Sequence, residues 1–215
     1  MSPGGMVRPK FLTLSHAGSL NVDQTFFQIE DREGVRVLRL QSADGTNRLR
    51  IRRILALTEA IAKLTREHRP LIIAGNDIFF SAGAELGEIA ALNGPTAYEF
   101  SKKGQALMTA IESFPAPVYA AISGYCMGGG LDLALACRHR IASPHAIFGH
   151  RGAAWGLITG WGGTQRLPRL IGKGRALELF VAAEKVDAAR AFQVGLVDTI
   201  ADDPIGEAVL RARRS

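Results

Sequence analysis

The chain has 215 residues, a formal net charge of +6 and 47% hydrophobic residues, values that suit one globular domain with a sizeable core. Nucleic-acid binding favours basic residues gathered with aromatics on one face, but here the basic residues are spread along the chain and only 7% of residues are aromatic. No apolar run reaches the ~20 residues that a membrane-spanning helix needs. We therefore expect neither a nucleic-acid nor a membrane partner, whereas a polyanionic small molecule suits the mild positive charge.

The ends of the chain and its cysteines indicate a compartment. Residues 1–24 are rich in Gly, Pro and Ser and contain no apolar signal core, which predicts a flexible tail and a cytoplasmic protein. Cys126 and Cys137 lie in apolar segments without a CxxC spacing. They are predicted to be reduced core thiols, because neither a disulfide nor a metal site is indicated by that pattern.

Short apolar strands alternate with amphipathic helices after the tail. Strands are predicted at 26–29, 35–40, 69–75, 118–122, 140–142, 146–148 and 196–200. Helices are predicted at 49–68, 95–114, 131–136, 175–182 and 187–193. Asn47, at the end of a turn, is expected to cap the first helix. The alternation predicts one α/β core domain over residues 25–202, followed by a truncated C-terminal helix over 203–215.

The stretch 118–137 joins a buried strand, a glycine-rich loop and the start of a buried helix. Its triplet Gly128, Gly129 and Gly130 costs about 1 kcal/mol per residue in helix propensity relative to alanine. Without Cβ atoms, backbone N–H groups at the positive helix end can approach an anion or a polarised carbonyl. Together with Asp132, this pattern indicates an oxyanion site; alternatively, the glycines only allow close packing of the helix on the strand.

A second strand-to-helix crossing at 79–85 also has small residues where the chain turns. If the two crossings lie on neighbouring parallel strands, the N–H groups of Ala84 and Gly129 would together polarise one thioester carbonyl. A dinucleotide site is the competing interpretation of a glycine loop after a strand. The chain contains neither a GxGxxG nor a GxxxxGK[ST] spacing, which disfavours that alternative.

Three motifs, in this order and at these spacings, resemble the enoyl-CoA hydratase/isomerase (crotonase) superfamily: FSAGAE at 80–85, GYCMGGGLD at 124–132 and GGTQRLPRLIG at 162–172. The resemblance implies an α/β fold built as a spiral of ββα units. It also implies an acyl-CoA thioester substrate, no cofactor beyond the coenzyme A of that substrate, and a homo-oligomer that is a trimer or a dimer of trimers.

The resemblance further assigns expected roles to individual residues. It implies that the N–H groups of Ala84 and Gly129 form the oxyanion hole for a thioester enolate. It also implies that Ala82, Gly83 and Gly128 belong to the substrate-binding site.

The acid/base residues depart from the hydratase pattern of this family. Hydratases use two glutamates; the first matches Asp132, which is still a carboxylate, and the second falls at Gly152, which cannot transfer a proton. The aspartate of the related dienoyl-CoA isomerases falls at Trp161. We therefore expect Asp132 to act as the acid/base group of an isomerisation or a related enolate reaction, although it can also be a helix N-terminal acid favoured by the dipole.

His150 is a candidate replacement for the missing glutamate. On a strand it would point to the same face as Gly152, and histidine suits proton transfer near neutral pH. The alternative, which we favour from the sequence, is a surface or loop histidine. Trp155 and Trp161 flank the segment where the family builds its acyl pocket, so they either narrow that pocket around a short or planar acyl group or anchor the loop in the core.

Two further features leave the function open. The Arg-Pro pair that the family often carries at the nucleotide end is replaced by Ser42 and Ala43, so Arg48, Arg50 or Arg52 would meet the phosphates of coenzyme A, unless they form a solvated helix face. The chain also ends sooner after residue 200 than family members usually do, which indicates either a truncated protein or a more open site. An acyl-CoA lyase or isomerase and a non-catalytic acyl-CoA-binding or assembly subunit are both compatible with these observations.

Overall fold

The computed structural model describes residues 26–214, so the tail predicted for 1–24 and the last residue of the terminal segment lie outside the described residues. The strands are β1 (Phe27–Arg32), β2 (Val35–Leu40), β3 (Leu71–Ala74), β4 (Phe79–Ser81), β5 (Val118–Ile122), β6 (Tyr125–Met127), β7 (His139–Ala142), β8 (Ile147–Gly149), β9 (Val186–Asp187) and β10 (Thr199–Ile200). The helices are α1 (Ile51–Leu64), α2 (Leu86–Ala90), α3 (Gly94–Glu112), α4 (Gly129–Ala136), α5 (Gly163–Ile171), α6 (Lys173–Ala182), α7 (Ala188–Gln193) and α8 (Pro204–Ala212). Short 3-10 helices lie at Thr65–Glu67 and Gly152–Trp155.

The strands form two sheets, and the chain alternates between them. One sheet has the order β1-β2-β3-β5-β7-β10 and is parallel except for the β1–β2 hairpin. The other has the order β4-β6-β8-β9 and is parallel except for the β8–β9 pair. From β3 to β8, each pair of successive strands enters both sheets before a helix follows, and this confirms the predicted spiral of ββα units. The last two strands differ, because α7 lies between β9 and β10.

The central strands of the larger sheet are buried on both faces. Every residue of β3 and β5 is buried, which explains why 71–74 and 118–122 are continuous apolar runs without alternation. Residues of α1, α3 and α4 contribute to the main core on one face. On the other face, Ala208 and Val209 of α8 pack in a second cluster with strand residues such as Ile72 and Tyr119.

The expected helix cap at Asn47 is wrong. The residue that precedes α1 is Arg50, and Asn47 instead adopts a left-handed conformation with φ of 52°. Its fully buried amide donates to the carbonyl oxygens of Phe79 at 3.1 Å and Phe80 at 3.3 Å. Asn47 therefore holds β4 next to the segment that leads into α1. That helix also ends at Leu64 and not at 68, because a 3-10 turn follows it.

Other predicted boundaries also differ from the structure. The loop expected after β5 contains the strand β6, whose three residues pair with β8 and whose first two residues also pair with β4. The strand expected over 196–200 is shortened, because the amides of Leu196 and Val197 donate to the carbonyl oxygen of Ala191 at the end of α7. Only Thr199 and Ile200 pair with β7.

Candidate active site

A cavity of about 550 Å³ is formed by residues of α2 and α3, the ends of β4 and β6, and the segment 150–161. This volume is typical of a small-molecule site. Most of its lining is apolar, and it includes Leu86, Ile89 and Phe100. Among the described residues that line it, Asp132 is the only carboxylate.

The two strand-to-helix crossings meet at the wall of this cavity. Leu49 N–H donates to Gly83 C=O at 2.8 Å and fixes the first crossing. A Cβ built on Gly83 would lie 3.0 Å from the nitrogen of Gly129, and one built on Gly129 would lie 3.4 Å from the nitrogen of Ala84. In the described part of the chain, neither Ala84 nor Gly129 has an acceptor for its N–H. The structure thus brings together the two predicted backbone donors, one of them at the positive end of α4.

The glycine triplet also has a packing role. A Cβ on Gly129 would overlap the ring of Trp161, and one on Gly130 would lie 2.6 Å from the carbonyl oxygen of Ser81. The Ser81 hydroxyl donates to the carbonyl oxygen of Asn47 at 2.8 Å, so this neighbour is itself fixed. Gly128 has φ of 51°, a left-handed conformation that favours glycine. Close packing and access to backbone N–H groups therefore coexist here.

Asp132 lies in the first turn of α4 and is fully buried. The hydroxyl of Thr159 donates a hydrogen bond to its Oδ2. Its Oδ1 lies 3.3 Å from Nε2 of His150, and neither of these two atoms has a hydrogen-bond partner. Gly163, the first residue of α5, leaves the space for this carboxylate, because a Cβ there would overlap Oδ1. No pattern in the sequence singled out Thr159 or Gly163 for this role.

The favoured expectation for His150 was a surface or loop residue, and the surface position is wrong. His150 is 4% exposed, and its ring packs against Phe180 of α6 with 5.0 Å between centroids. The expected strand alternation is also wrong, since β8 ends at Gly149 and a 3-10 helix begins at Gly152. The imidazole nevertheless faces inward, toward Asp132, because the chain turns at this point.

Gly152, where the resemblance led us to expect the second glutamate of hydratases, has no space for a side chain. A Cβ there would lie 2.6 Å from the carbonyl oxygen of Leu157. The amide of Leu157 in turn donates to the carbonyl oxygen of Gly152 at 2.9 Å, which closes the turn. A carboxylate at this position would require the backbone to move.

The two tryptophans have different environments, although both line the cavity. Trp155 is 70% exposed, whereas Trp161 is 3% exposed, packs against Phe100 at 5.3 Å between centroids and occupies the space left by Gly104. The core-anchor interpretation therefore fits Trp161 and is wrong for Trp155. Of the other expected substrate-binding residues, Ala82 and Gly128 line the cavity, whereas Gly83 does not line it and lies against Met127 and Gly129.

Two of the three arginines that were expected to meet the phosphates, Arg48 and Arg50, are paired with Glu85. Arg48 Nη1 lies 3.3 Å from Glu85 Oε1, and Arg50 Nη2 lies 3.0 Å from Glu85 Oε2. The hydrogen bond from Arg50 lowers the pKa of the Glu85 carboxyl. Residues 26–214 contain no group of three or more metal-ligating side chains, and none of the helices in this range is long and apolar enough to cross a membrane.

Comparison with known sequences agrees with this geometry. The profile of the family described as enoyl-CoA hydratase/isomerase matches residues 30–214. The chain is 46% identical over 136 residues to a probable enoyl-CoA hydratase of Bacillus subtilis, covering 63% of this chain and 53% of that protein. It is 37% identical over 175 residues to a crotonyl-CoA hydratase of Syntrophomonas wolfei, covering 80% of this chain and 67% of the relative. The chain thus spans between about half and two thirds of the length of these relatives.

Solved structures show the same arrangement of elements. DspI of Pseudomonas aeruginosa superimposes with a TM-score of 0.85 at 33% identity, covering 93% of this chain and 77% of that one. An enoyl-CoA hydratase of Bacillus anthracis gives a TM-score of 0.83 at 32% identity, covering 87% of this chain and 75% of that one. The profile match, the relatives and the shared crotonase fold agree, and the chain belongs to the enoyl-CoA hydratase/isomerase family.

Proposed function

We propose that this protein is an acyl-CoA enzyme that binds a thioester and stabilises its enolate. The observation that carries the proposal is the meeting of the free N–H groups of Ala84 and Gly129 with the carboxylate of Asp132 around one apolar cavity. A thioester oxygen that accepts from both donors would be stabilised as it gains negative charge during proton loss from the adjacent carbon. Relatives named as hydratases of enoyl-CoA and crotonyl-CoA support this substrate class.

The reaction we propose is isomerisation, or a related enolate reaction, in preference to two-glutamate hydration. An isomerase can remove a proton from one carbon and return it to another with a single carboxylate. Hydration across a double bond in this family uses two. Asp132 is the only carboxylate among the described residues that line the cavity, and the turn at Gly152 has no space for another.

Assays with two substrates test this proposal. We expect the protein to convert a 3-enoyl-CoA to the 2-enoyl isomer, and to hydrate crotonyl-CoA more slowly. We expect Asp132→Asn to lower the isomerisation rate by about 10²–10⁴-fold, the usual contribution of a positioned acid/base group, while binding of the thioester is kept. Undiminished turnover in Asp132→Asn would rule out its role, and faster hydration than isomerisation would overturn the proposed preference.

The second candidate is a non-catalytic acyl-CoA-binding or assembly subunit. The complete burial of Asp132, together with its hydrogen bond from Thr159, favours this alternative. Calorimetric binding of short, unsaturated and aromatic acyl-CoA thioesters without conversion of any of them would select it. Absence of binding to every thioester would contradict both candidates.

We also propose a cytoplasmic homo-oligomer, either a trimer or a dimer of trimers. The exposed apolar side chains of Leu177 and Val181 on α6 support an assembly surface. The buried free thiols of Cys126 and Cys137 suit a reducing compartment. Light scattering after size exclusion tests the assembly, and a mass of 23.1 kDa, that of one chain, would contradict it.

A further inference from the structure

We propose that His150 is a second catalytic residue, and that its Nε2 and the Oδ1 of Asp132 share the proton moved in the reaction. Both side chains line the cavity, and both are at least nine-tenths buried. This inference rests on the proposed function, because it assigns the acid/base role to a pair and not to the carboxylate alone.

The two atoms lie close together, and neither has a hydrogen-bond partner. The distance between Asp132 Oδ1 and His150 Nε2 is 3.3 Å. The other carboxylate oxygen, Oδ2, already accepts from the hydroxyl of Thr159. Buried polar atoms are nearly always hydrogen-bonded, so an unpartnered pair of this kind calls for an explanation.

A single proton between these atoms would satisfy both of them. Leaving a buried acceptor without a donor is unfavourable, and here two acceptors lie within reach of one proton. The geometry therefore suits a base that is poised to accept a proton from a substrate in the cavity.

The proton transfer balances in charge. Asp132 Oδ1 accepts the proton from the carbon next to the thioester carbonyl, and the electron pair of that C–H bond passes into the carbonyl to form the enolate. The proton then lies between Oδ1 and Nε2, so the carboxylate and the neutral imidazole become an uncharged pair. The negative charge moves to the enolate oxygen held by Ala84 and Gly129. Return of the proton to carbon restores the original state.

Thr159 is the positioning residue of this arrangement. Its hydroxyl holds Oδ2, which leaves Oδ1 free of other partners and 3.3 Å from Nε2 of His150. The ring of Phe180 packs against His150 and limits its rotation. Gly163 leaves the space in which Oδ1 and Nε2 meet, since a Cβ there would overlap Oδ1 and lie 3.2 Å from Nε2.

Exchange of the α-hydrogens of butyryl-CoA in deuterated water tests the pair directly. Mass spectrometry follows deuterium uptake, and calorimetry measures binding of the same thioester. We expect His150→Gln and His150→Phe to slow exchange by about 10²-fold or more. The glutamine amide carries a permanent N–H donor, and the phenylalanine ring has no acceptor for the proton. Binding of butyryl-CoA to these variants should change less than about 3-fold. The control is His145→Gln, which alters an exposed histidine outside the cavity and should keep the full exchange rate.

Thr159 variants separate positioning from a merely structural role. We expect Thr159→Val to slow exchange by about 10-fold or more without weakening binding, and Thr159→Ser to restore the rate because it keeps the hydroxyl donor. Thr58→Val is the matched control, since Thr58 bonds only to the Ile54 carbonyl of its own helix. Equal rates in Thr159→Val and Thr159→Ser would contradict the positioning role.

The outcomes distinguish this inference from the proposed function. A wild-type protein that exchanges rapidly, together with folded His150 variants that exchange at the same rate, would overturn the inference and leave the proposed function intact. A wild-type protein that binds butyryl-CoA without exchanging its α-hydrogens would overturn both. Thermal melting of each variant shows that a lost rate is not caused by unfolding.

Discussion

Gly163 and Asp132 occupy adjoining space at the start of two helices. Gly163 is the first residue of α5, Asp132 lies in the first turn of α4, and a Cβ on the glycine would overlap Oδ1 of the carboxylate. Both helices thus present their positive ends near the same negative group, which is the arrangement that the helix dipole favours. The position of the carboxylate therefore depends on a residue with no side chain in another ββα unit.

Gly163→Ala is predicted to displace the carboxylate of Asp132. We expect a loss of about 1–3 kcal/mol in the free energy of unfolding from overpacking, and about 10²-fold slower turnover from misplacement of the acid/base group. Urea denaturation and isomerase assays measure the two effects. Gly174→Ala in α6, where a Cβ meets nothing within 4 Å, is the control and should be neutral or slightly stabilising. Equal behaviour of the two variants would contradict this account.

Gly104→Ala is predicted to displace Trp161. A Cβ on Gly104 would overlap the indole, which is already packed against Phe100. We expect destabilisation by about 1–3 kcal/mol and a shift in tryptophan emission. The smaller ring in Gly104→Ala/Trp161→Phe should recover part of the loss, a coupling of about 0.5–3 kcal/mol in a double-mutant cycle. Additive effects would contradict the contact, and Gly94→Ala in the same helix is the control, because its Cβ would meet nothing within 4 Å.

Glu85→Gln is predicted to strengthen binding of coenzyme A. The carboxylate neutralises Arg48 and Arg50 beside the first crossing, and its removal frees two guanidinium groups for phosphates. We expect about 2- to 5-fold tighter binding at low salt, with the gain shrinking as ionic strength rises. Calorimetry at two salt concentrations measures it. Glu59→Gln, whose carboxylate pairs with Lys63 elsewhere on α1, should leave binding unchanged; unchanged binding in Glu85→Gln would contradict the prediction.

Cys137→Ala is predicted to reduce the decrease in the free energy of unfolding at alkaline pH. Burial raises the pKa of the Cys137 thiol from 9.0 to about 12. Between these values the unfolded chain releases a proton that the folded chain retains. The contribution of the thiol to the free energy of unfolding is therefore fully present below pH 9 and is lost as pH rises. The loss between pH 9 and 10.5, measured by urea unfolding, should be smaller in the variant by about 1–2 kcal/mol. Below pH 8, the free energies of unfolding of the two proteins should change with pH in parallel. Parallel curves above pH 9 would contradict the prediction.

Some of the site could be predicted from the sequence because its elements have strong local patterns. The strands at 71–74 and 118–122 are continuous apolar runs, which is typical of parallel strands covered on both sides. Ala84 and Gly129 could be paired because each follows a strand at a small-residue crossing, and neighbouring parallel strands bring such crossings together. The carboxylate of Asp132 followed from its place at the start of the glycine-rich helix.

The rest depends on contacts that no local pattern reveals. His150 was expected to be a surface or loop histidine, and the structure shows that it is buried against Phe180 of α6, a contact between residues distant in sequence. Thr159 lies in a segment without helical or strand periodicity, so its bond to Asp132 could not be foreseen. The strand β6 is too short for its period to be recognised, and it is defined by its two neighbours.

The alternation of the chain between two sheets has a consequence for how a ligand affects the protein. Ala84 comes from the first ββα unit after the hairpin, Gly129 and Asp132 from the second, and His150 from the third. A bound thioester would therefore hold three separate stretches of chain together at once. Its binding energy would oppose the unfolding of the entire spiral and not of one loop, so melting should remain a single transition that moves to higher temperature as ligand is added.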